Sequence, residues 1–428
     1  MKYALINPNW TFEGSTYFGC REPHLPIEYG YAKTLLEKQG HEAIIIDAQL
    51  NSLSAQEIQK KVTEFQPDFT VITTAPSYLF WRCAPPELRI PQETLIHLKN
   101  IDTTFVAIGP HASTTPTATL KKLGVDVVIL GECEEILPQL PQPWKNVSSI
   151  CYWKDNAPIL QGSPHTTDLG ALPALHWEDA TIQRHPHHHH RFDAPPQGYG
   201  AEMETSRGCP YHCSFCAKEN FRNSFRKRPL EVILEELDRL IAQGVEYVYF
   251  VDEIFLPNRA LLEALVKRKI IFGVQTRIDL WKKPLIDLLG KAGCVSIEAG
   301  VESITEEGRS LLNKNCKLST NELSERLVYA KTKVPFVQAN LLDSNVDDIE
   351  AIASWRNYLI ENGVWANKPV PLFPYPGSPD YTKKWGFPDE KAWERANQYY
   401  LKIYAEFSDI QEQQPLPLSE LELNPIEV

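Results

Sequence analysis

Short apolar runs alternate with amphipathic segments through the first third of the chain. The apolar runs occupy residues 3–6, 43–46, 69–72, 105–108 and 127–130, with helical patterns between them. About five βα units in the first ~140 residues predict a parallel sheet with helices on both faces. We therefore expect a doubly wound, Rossmann-like N-terminal domain over residues 1–140.

Ligands of such a sheet bind in the crevice beyond the carboxyl ends of its strands. The residues that follow the predicted strands, and so form a candidate site, are Asn7, Asn9, Trp10, Thr73, Thr74, Ser77, Gly109, His111, Gly131 and Glu132. The turn after the first strand, NPNWTFEGSTYFG, lacks the GxGxxG spacing, which disfavours NAD or FAD. A purely structural domain is an equally good interpretation of this segment taken alone.

The second half of the chain repeats the βα pattern. Residues 141–198, rich in Pro, His and Gly, are predicted to form a linker with one hairpin between 150 and 160. Apolar runs near 202, 247, 271, 295, 336 and 369 then alternate with helical segments such as 230–241, and Ser319 with Glu322 makes a capping box. We expect an open partial (β/α)6 barrel over 199–380, with its active site at the carboxyl ends of the strands. Residues 381–428 are expected to be a short helical extension with an acidic, solvated tail.

Composition narrows the function classes. The 428 residues fit two or three domains. Lys+Arg of 43 against Asp+Glu of 55 gives 43 − 55 = −12, the wrong sign for broad binding of nucleic acid. No run of 18 apolar residues or signal-peptide pattern occurs, so we expect a soluble, cytoplasmic protein without a membrane partner.

Three of the nine cysteines lie close together, in the segment ETSRGCPYHCSFCA at 204–217. Cys209, Cys213 and Cys216 have CxxxCxxC spacing and sit on a loop that follows a predicted strand. Three thiolates suit a [4Fe-4S] cluster with one open iron, whereas a structural zinc site needs four ligands. His212 could supply the fourth ligand, so zinc remains the alternative at this point.

With Phe215 before its last cysteine, this segment resembles the CxxxCxΦC signature of the radical S-adenosylmethionine (SAM) superfamily. Residues 250–255 resemble the segment that meets the SAM amino group, with Asp252 and Glu253 in place of the usual glycines. Residues 294–303 resemble the segment near the SAM ribose and methionine, and 371–381 resembles the branch with an N-terminal cobalamin-binding domain. The SAM contacts that the resemblance implies are Phe215, Asp252, Glu253, Arg277, Glu298 and Glu302.

The resemblance implies a cobalamin-dependent radical SAM enzyme. Its cofactors would be a [4Fe-4S] cluster on Cys209, Cys213 and Cys216, SAM, and cobalamin at the N-terminal crevice. In that family a 5′-deoxyadenosyl radical takes hydrogen from an unactivated carbon and methylcobalamin supplies a methyl group. The family's DxHxxG signature is missing after the first strand, so that loop offers cobalt no histidine ligand.

We therefore expect a C-methyltransferase acting on a small metabolite, with no catalytic residue assigned beyond the cofactor ligands. A cobalamin-dependent enzyme of rearrangement or cyclisation, and a cobalamin- or redox-sensing protein, are the alternatives. An external electron donor such as flavodoxin or ferredoxin, and a monomeric state, are also expected.

The basic residues in and after the cysteine segment allow two interpretations. This basic run comprises Arg207, Arg222, Arg226, Lys227 and Arg228. They could face an anionic substrate or the SAM carboxylate, or they could be a solvated loop.

Overall fold

The structure is a computed structural model that describes residues 1–16, 22–77, 84–185, 198–218, 221–404 and 414–423. The two predicted α/β units are present, each built on its own sheet.

The N-terminal sheet has seven strands in the order β2-β1-β3-β4-β5-β6-β7. Their bounds are β1 Lys2–Asn7, β2 Glu42–Asp47, β3 Phe69–Thr73, β4 Thr104–Ile108, β5 Val127–Ile129, β6 Ile150–Lys154 and β7 Ala157–Gln161. The first five strands are parallel, as expected. The hairpin expected in the linker is β6 and β7, which add to this sheet as antiparallel strands beside β5.

The helices of this unit follow the predicted alternation. They are α1 Ile27–Lys38, α2 Ala55–Phe65, α3 Arg89–Leu98, α4 Pro110–Thr114 and α5 Pro116–Leu123, while α6 Asp179–Gln183 lies in the linker and its Ile182 joins the core of the barrel half. Ser54 and Glu57 form a capping box that fixes the start of α2. The first turn of α1 carries a buried carboxylate, Glu28, on the side where β1 ends.

The second sheet has six parallel strands in the order β15-β14-β13-β12-β11-β8. The strands of this half are β8 Tyr199–Met203, β9 Ser206–Arg207, β10 Arg226–Lys227, β11 Val245–Phe250, β12 Ile271–Thr276, β13 Cys294–Glu302, β14 Phe336–Leu341 and β15 Trp365–Ala366. The helices are α7 Leu230–Ala242, α8 Arg259–Val266, α9 Lys283–Lys291, α10 Glu306–Leu311, α11 Thr320–Lys331 and α12 Ile349–Glu361. The predicted partial barrel is therefore present, and the Ser319–Glu322 capping box does start α11.

The sixth barrel strand differs from its prediction near residue 369. It is only two residues long, Trp365–Ala366, and Val370 makes just an isolated bridge to Leu342. Pro369 and Pro371 have no amide hydrogen for a strand ladder, which explains the interruption.

The C-terminal residues correct another expectation. Helices α13 Pro379–Trp385, α14 Ala392–Ile403 and α15 Leu418–Leu421 end the described chain. The acidic end at 419–428 was expected to be solvated, but Leu418 and Leu421 are buried in the core of the N-terminal unit, and residues 424–428 lie outside the described part.

Glu422 explains why this segment folds back. Its carboxylate accepts hydrogen bonds from the Leu88 amide at 2.8 Å and from Lys122 Nζ at 2.7 Å. Lys122 is itself buried and also pairs with Glu394 of α14. A buried ammonium is stable only with such counter-charges. The two carboxylates are far from Lys122 in sequence, so the sequence alone does not predict these pairs. None of the helices in the described ranges is long and apolar enough to cross a membrane.

Leu421→Ala should destabilise the N-terminal unit by about 2 kcal/mol or more, because it opens a cavity in the core. Leu423→Ala is the matched control, since that side chain is half exposed. Urea unfolding followed by circular dichroism checks this expectation. Equal midpoints for the two variants would contradict the packing of the C-terminal segment.

Candidate functional site

The three clustered cysteines lie on the loop that leaves β9. Gly208 begins this loop with φ +78, and a Cβ there would lie 2.1 Å from the Ser224 carbonyl oxygen, so only glycine fits. Other segments anchor the loop: the Asn313 amide donates to the His212 carbonyl at 2.6 Å, and Ser214 Oγ donates to Asp380 at 3.0 Å. The loop is therefore held from both sides.

The thiols of this loop are mutually close. A hydrogen bond between Cys213 and Cys216 lowers the pKa of Cys213 to about 7 and raises the pKa of Cys216. Positive charge on Lys314 and Arg277 also favours the Cys213 thiolate. Burial raises the pKa of the Cys209 thiol.

Within the described ranges, no three His, Cys, Asp or Glu side chains are grouped so that they could hold a metal ion. A single metal ion needs ligands that converge on it, and the ligand atoms of zinc lie about 2.0–2.3 Å from the metal. Thiolates of an iron–sulfur cluster bind different iron atoms and need no such convergence. The spacing of Cys209, Cys213 and Cys216 on one anchored loop fits a cluster.

Several of the expected SAM contacts carry charges that act on these thiols. Glu253 raises the pKa of Cys209, while Glu302 raises and Arg277 lowers the pKa of Cys213. Glu253 lies just beyond the carboxyl end of β11 and accepts the Gly208 amide hydrogen bond at 2.9 Å. The structure thus brings the ends of β11, β12 and β13 to the cysteine loop.

The remaining expected SAM contacts take different positions. Glu298 is buried on β13, and Phe215 is half-buried on the cysteine loop. Asp252 is also buried, and its carboxylate accepts hydrogen bonds from the Thr205 amide, the Thr205 hydroxyl and the Ser206 hydroxyl. Asp252 therefore ties the end of β11 to the segment that leads into the cysteine loop.

Arg277 and Glu302 each have a second partner near the loop. The Arg277 guanidinium lies 4.0 Å from the centre of the Tyr211 ring and pairs with Asp279 at 2.8 Å. Glu302 pairs with Lys314 at 2.9 Å. These contacts fix both side chains beside the thiols.

The expected cobalamin contacts line the carboxyl edge of the N-terminal sheet. Asn7 donates to Asp47 at 2.8 Å and accepts from the Trp10 indole at 2.8 Å. Asn9 is exposed and donates to the Leu53 carbonyl at 3.4 Å. The side chains at the end of β1 thus hold one another and the end of β2.

Two buried polar atoms that follow β3 and β4 have no hydrogen-bond partner among the described residues. Thr73 donates its hydroxyl to the Ala75 carbonyl at 2.6 Å, whereas the Thr74 hydroxyl is one of these two atoms. The other is Nδ1 of His111 in α4, and burial lowers the pKa of this imidazole well below its usual value. Unpaired buried polar atoms are costly, so they suit a polar ligand in this crevice.

His111 is stacked on Trp393 of α14, with ring centres 3.9 Å apart. Gly109, with φ +111, precedes α4. Gly131 needs its missing side chain, because a Cβ would lie 2.3 Å from the His165 carbonyl oxygen. His24, the other histidine near the crevice, lies 2.5 Å from Glu202 of β8.

Three members of the basic run, Arg207, Arg222 and Arg228, are buried rather than solvated, whereas Lys227 is exposed. Arg207 and Arg222 are 0% and 1% exposed, and with Arg226 they meet carboxylates of both units. We call this set the arginine–glutamate network, which comprises Arg207, Arg222, Arg226, Glu28, Glu132, Glu134, Glu204 and Glu253. Glu28, Glu134 and Glu204 were not among the expected site residues, because the sequence alone does not show which carboxylates meet an arginine.

The network joins the two sheets at their carboxyl edges. Glu132, which follows β5, receives both Nη atoms of Arg226 at 2.6 and 2.8 Å. Arg207 Nη1 lies 2.7 Å from Glu134, and its Nη2 lies 2.9 Å from Glu204. Glu132, expected at cobalamin, thus has arginine partners, which hold its pKa at about 2.

Arg228, the next arginine, supports the same region from the barrel side. It pairs with Glu236 of α7 at 2.7 Å and donates to the Glu204 carbonyl at 2.8 Å. Lys227 lies over the Phe225 ring, 5.8 Å from its centre.

Comparison with known proteins agrees with this two-unit arrangement. The B12 binding domain family matches residues 21–140, and the Radical SAM superfamily matches residues 203–355. The anaerobic magnesium-protoporphyrin IX monomethyl ester cyclase of Cereibacter sphaeroides is 24% identical over 358 residues, covering 77% of this chain and 55% of the cyclase. This chain therefore spans little more than half the length of that relative.

Two further matches carry methyl-transfer names. The hopanoid C-3 methylase of Methylococcus capsulatus is 32% identical over 187 residues, covering 42% of this chain and 35% of the methylase. The radical SAM methyltransferase TsrM of Kitasatospora setae, solved with cobalamin and a [4Fe-4S] cluster, superposes with a TM-score of 0.68 at 18% identity. That match covers 89% of this chain and 76% of TsrM, and it shows a shared fold.

Asp252→Asn should change how stability depends on pH. Burial raises the pKa of Asp252 from 3.8 to about 7, so between about pH 4 and 7 the folded protein holds a proton that the unfolded chain releases. Stability from this group is therefore lost as pH rises through that window, by at most about 4 kcal/mol. Asparagine mimics the protonated acid, so the variant should lose less stability than the wild type between pH 4 and 7.

Urea midpoints measured across this range test the expectation. Asp238→Asn is the control, because the exposed Asp238 has a pKa lowered by its hydrogen bond with Arg268. Parallel pH profiles for wild type and Asp252→Asn would contradict the assigned protonation.

Proposed function

We propose, from the premise that this chain belongs to the radical SAM enzymes that carry a B12-binding domain, that it is a cobalamin-dependent C-methyltransferase for a small molecule. The observation that carries the proposal is the direct contact between the carboxyl edges of the two sheets. Glu28 and Glu132 of the N-terminal unit and Glu204 and Glu253 of the barrel unit lie around one guanidinium, that of Arg222. Ligands bound at the two edges would therefore face one space.

The cysteine loop fits the cluster. Cys209, Cys213 and Cys216 would be its ligands, and the positive charges of Lys314 and Arg277 favour the thiolate form that a ligand needs. No fourth cysteine completes the loop, which leaves one iron for SAM.

The surroundings of Glu253 fit the SAM ammonium. The arginine–glutamate network sets three arginines against five glutamates. Burial raises the pKa values of Glu28 and Glu253, and this favours a proton on these two carboxylates. An ammonium group could replace such a proton and restore charge balance. Arg277 and Lys314, whose positive charges act on Cys213, suit the SAM carboxylate.

The N-terminal crevice fits cobalamin. The unpaired Thr74 hydroxyl and His111 Nδ1 offer polar contacts, and no DxHxxG histidine is available from the loop after β1. His24 is paired with Glu202 and His111 is stacked on Trp393, so neither ring is assigned as a ligand of cobalt.

When bound, the cluster and SAM would supply a 5′-deoxyadenosyl radical, and cobalamin would supply a methyl group. The net change is replacement of C–H by C–CH3 on the substrate. The protein's part is to hold the ligands at facing sheet edges and to exclude water there. Electron delivery by flavodoxin or ferredoxin, a monomeric state and a cytoplasmic location stay predictions.

A cyclisation without methyl transfer is the second candidate. It is favoured by the cyclase relative, whose match covers 77% of this chain, against 42% for the methylase. Product mass separates the two, since methyl transfer adds about one methylene to the substrate.

Anaerobic reconstitution with iron, sulfide and hydroxocobalamin tests the cofactor assignment. We expect about one corrin per chain together with a [4Fe-4S] absorption spectrum. With SAM and a strong reductant, 5′-deoxyadenosine should form. A protein that forms the cluster and cleaves SAM but takes up no corrin would refute cobalamin-dependent methyl transfer.

Cys213→Ala should abolish the cluster and all SAM cleavage while leaving the N-terminal unit folded, because one ligand is lost. Cys316→Ala is the control, since Cys316 also lies in the barrel half but its thiol contacts the Leu318 carbonyl. Iron content, 5′-deoxyadenosine yield and circular dichroism provide the readouts. Full SAM cleavage by Cys213→Ala would overturn the ligand assignment.

A further inference from the structure

The Arg222 guanidinium lies at the centre of a chain of polar contacts between the two candidate cofactor sites. On one side, its Nη2 donates to Glu28 Oε1 at 3.2 Å. On the other side, its Nη1 donates to Glu253 Oε1 at 3.1 Å and to Glu204 Oε1 at 3.2 Å. No more than 1% of Arg222 is exposed, so solvent does not screen these contacts.

One end of this path of contacts is at the predicted cobalamin site, and the other is beside the first cluster cysteine. Glu28 Oε2 accepts a hydrogen bond from Ser77, which lies beyond the carboxyl end of β3 at the cobalamin crevice. Glu253 Oε2 accepts the amide of Gly208, the residue before Cys209. The order is therefore Ser77, Glu28, Arg222, Glu253 and Gly208, with a hydrogen bond at each step.

We infer that Arg222 is a positioning residue that couples cobalamin binding at the N-terminal crevice to SAM binding at the cysteine loop. A ligand that contacts Ser77 would alter the Glu28 carboxylate, and Arg222 would pass that change to the orientation of Glu253. The inference rests on the proposed function, since both cofactors must bind.

Two other arginines of the network are arranged differently. Arg226 also crosses between the units through its two bonds to Glu132, and its other hydrogen bonds go to the carbonyls of Thr167 and Ser224. Arg207 pairs with Glu132, Glu134 and Glu204. Arg226 therefore links the two units, as Arg222 does, but it is not part of the hydrogen-bonded path from Ser77 to Gly208.

Coupling of this kind is reciprocal and is measured as a ratio of affinities. The protein is reconstituted with its cluster, kept oxidised so that SAM is not cleaved, and titrated with SAM with and without saturating hydroxocobalamin. In the wild type, hydroxocobalamin should tighten SAM binding by about fivefold or more, in the usual range for coupled sites. In Arg222→Gln this ratio should fall close to one.

Arg228→Gln is the matched control, because Arg228 is also buried but pairs with Glu236 of α7 within the barrel unit. It should lower the urea midpoint yet keep the wild-type affinity ratio. Glu28→Gln is a second test variant, because it preserves shape but leaves one acceptor oxygen where Glu28 has two, which accept from Ser77 and Arg222. If Arg222→Gln does not fold, Glu28→Gln should still lower the ratio.

The outcomes separate the coupling from the proposed function. Wild-type protein that takes up no hydroxocobalamin refutes cobalamin dependence and the coupling with it. Wild-type protein that binds both cofactors with a ratio of one refutes the coupling alone. So does an unchanged ratio in both Arg222→Gln and Glu28→Gln, since a purely structural role would weaken SAM binding equally with and without hydroxocobalamin.

Discussion

Arg207 and Arg222 lie almost fully buried between two sheets, where a guanidinium needs hydrogen-bonded carboxylates because burial removes it from solvent. The carboxylates come from both units: Glu28, Glu132 and Glu134 from the first, Glu204 and Glu253 from the second. Removing one partner from such a pair typically costs about 3–5 kcal/mol, because the other charge stays buried. This requirement fixes how the two units meet.

The same pairing decides what the two sheet edges can do. Each carboxylate of the network lies just beyond a strand or in the first turn of the following helix, where α/β folds place their ligands. Because the pairs bring these edges together, a ligand on the N-terminal sheet and one at the cysteine loop would lie on either side of the arginine–glutamate network. The C-terminal segment adds to this closure, since Trp393 covers His111 and Glu422 reaches Lys122.

Much of the fold could be read from local pattern. Parallel strands buried on both faces gave continuous apolar runs, and the observed bounds of β1 to β5 differ from them by no more than a residue or so. The capping box at Ser319 depends on neighbours three residues apart and was equally legible. The sixth barrel strand was harder, because its position depends on where Pro369 and Pro371 interrupt pairing with β14.

The candidate site also has features that depend on residues close in sequence and features that depend on tertiary packing. The chain itself determined the thiol spacing of Cys209, Cys213 and Cys216, the turn at Gly208 and the βα alternation, because each depends on residues close in sequence. Only the tertiary structure decided that Glu132 pairs with Arg226, 94 residues away, and that Glu28 meets Arg222, 194 residues away. A carboxylate beyond a strand looks the same in sequence whether it faces a ligand or an arginine. Its partner depends on how the two units pack, and no local sequence pattern indicates that packing.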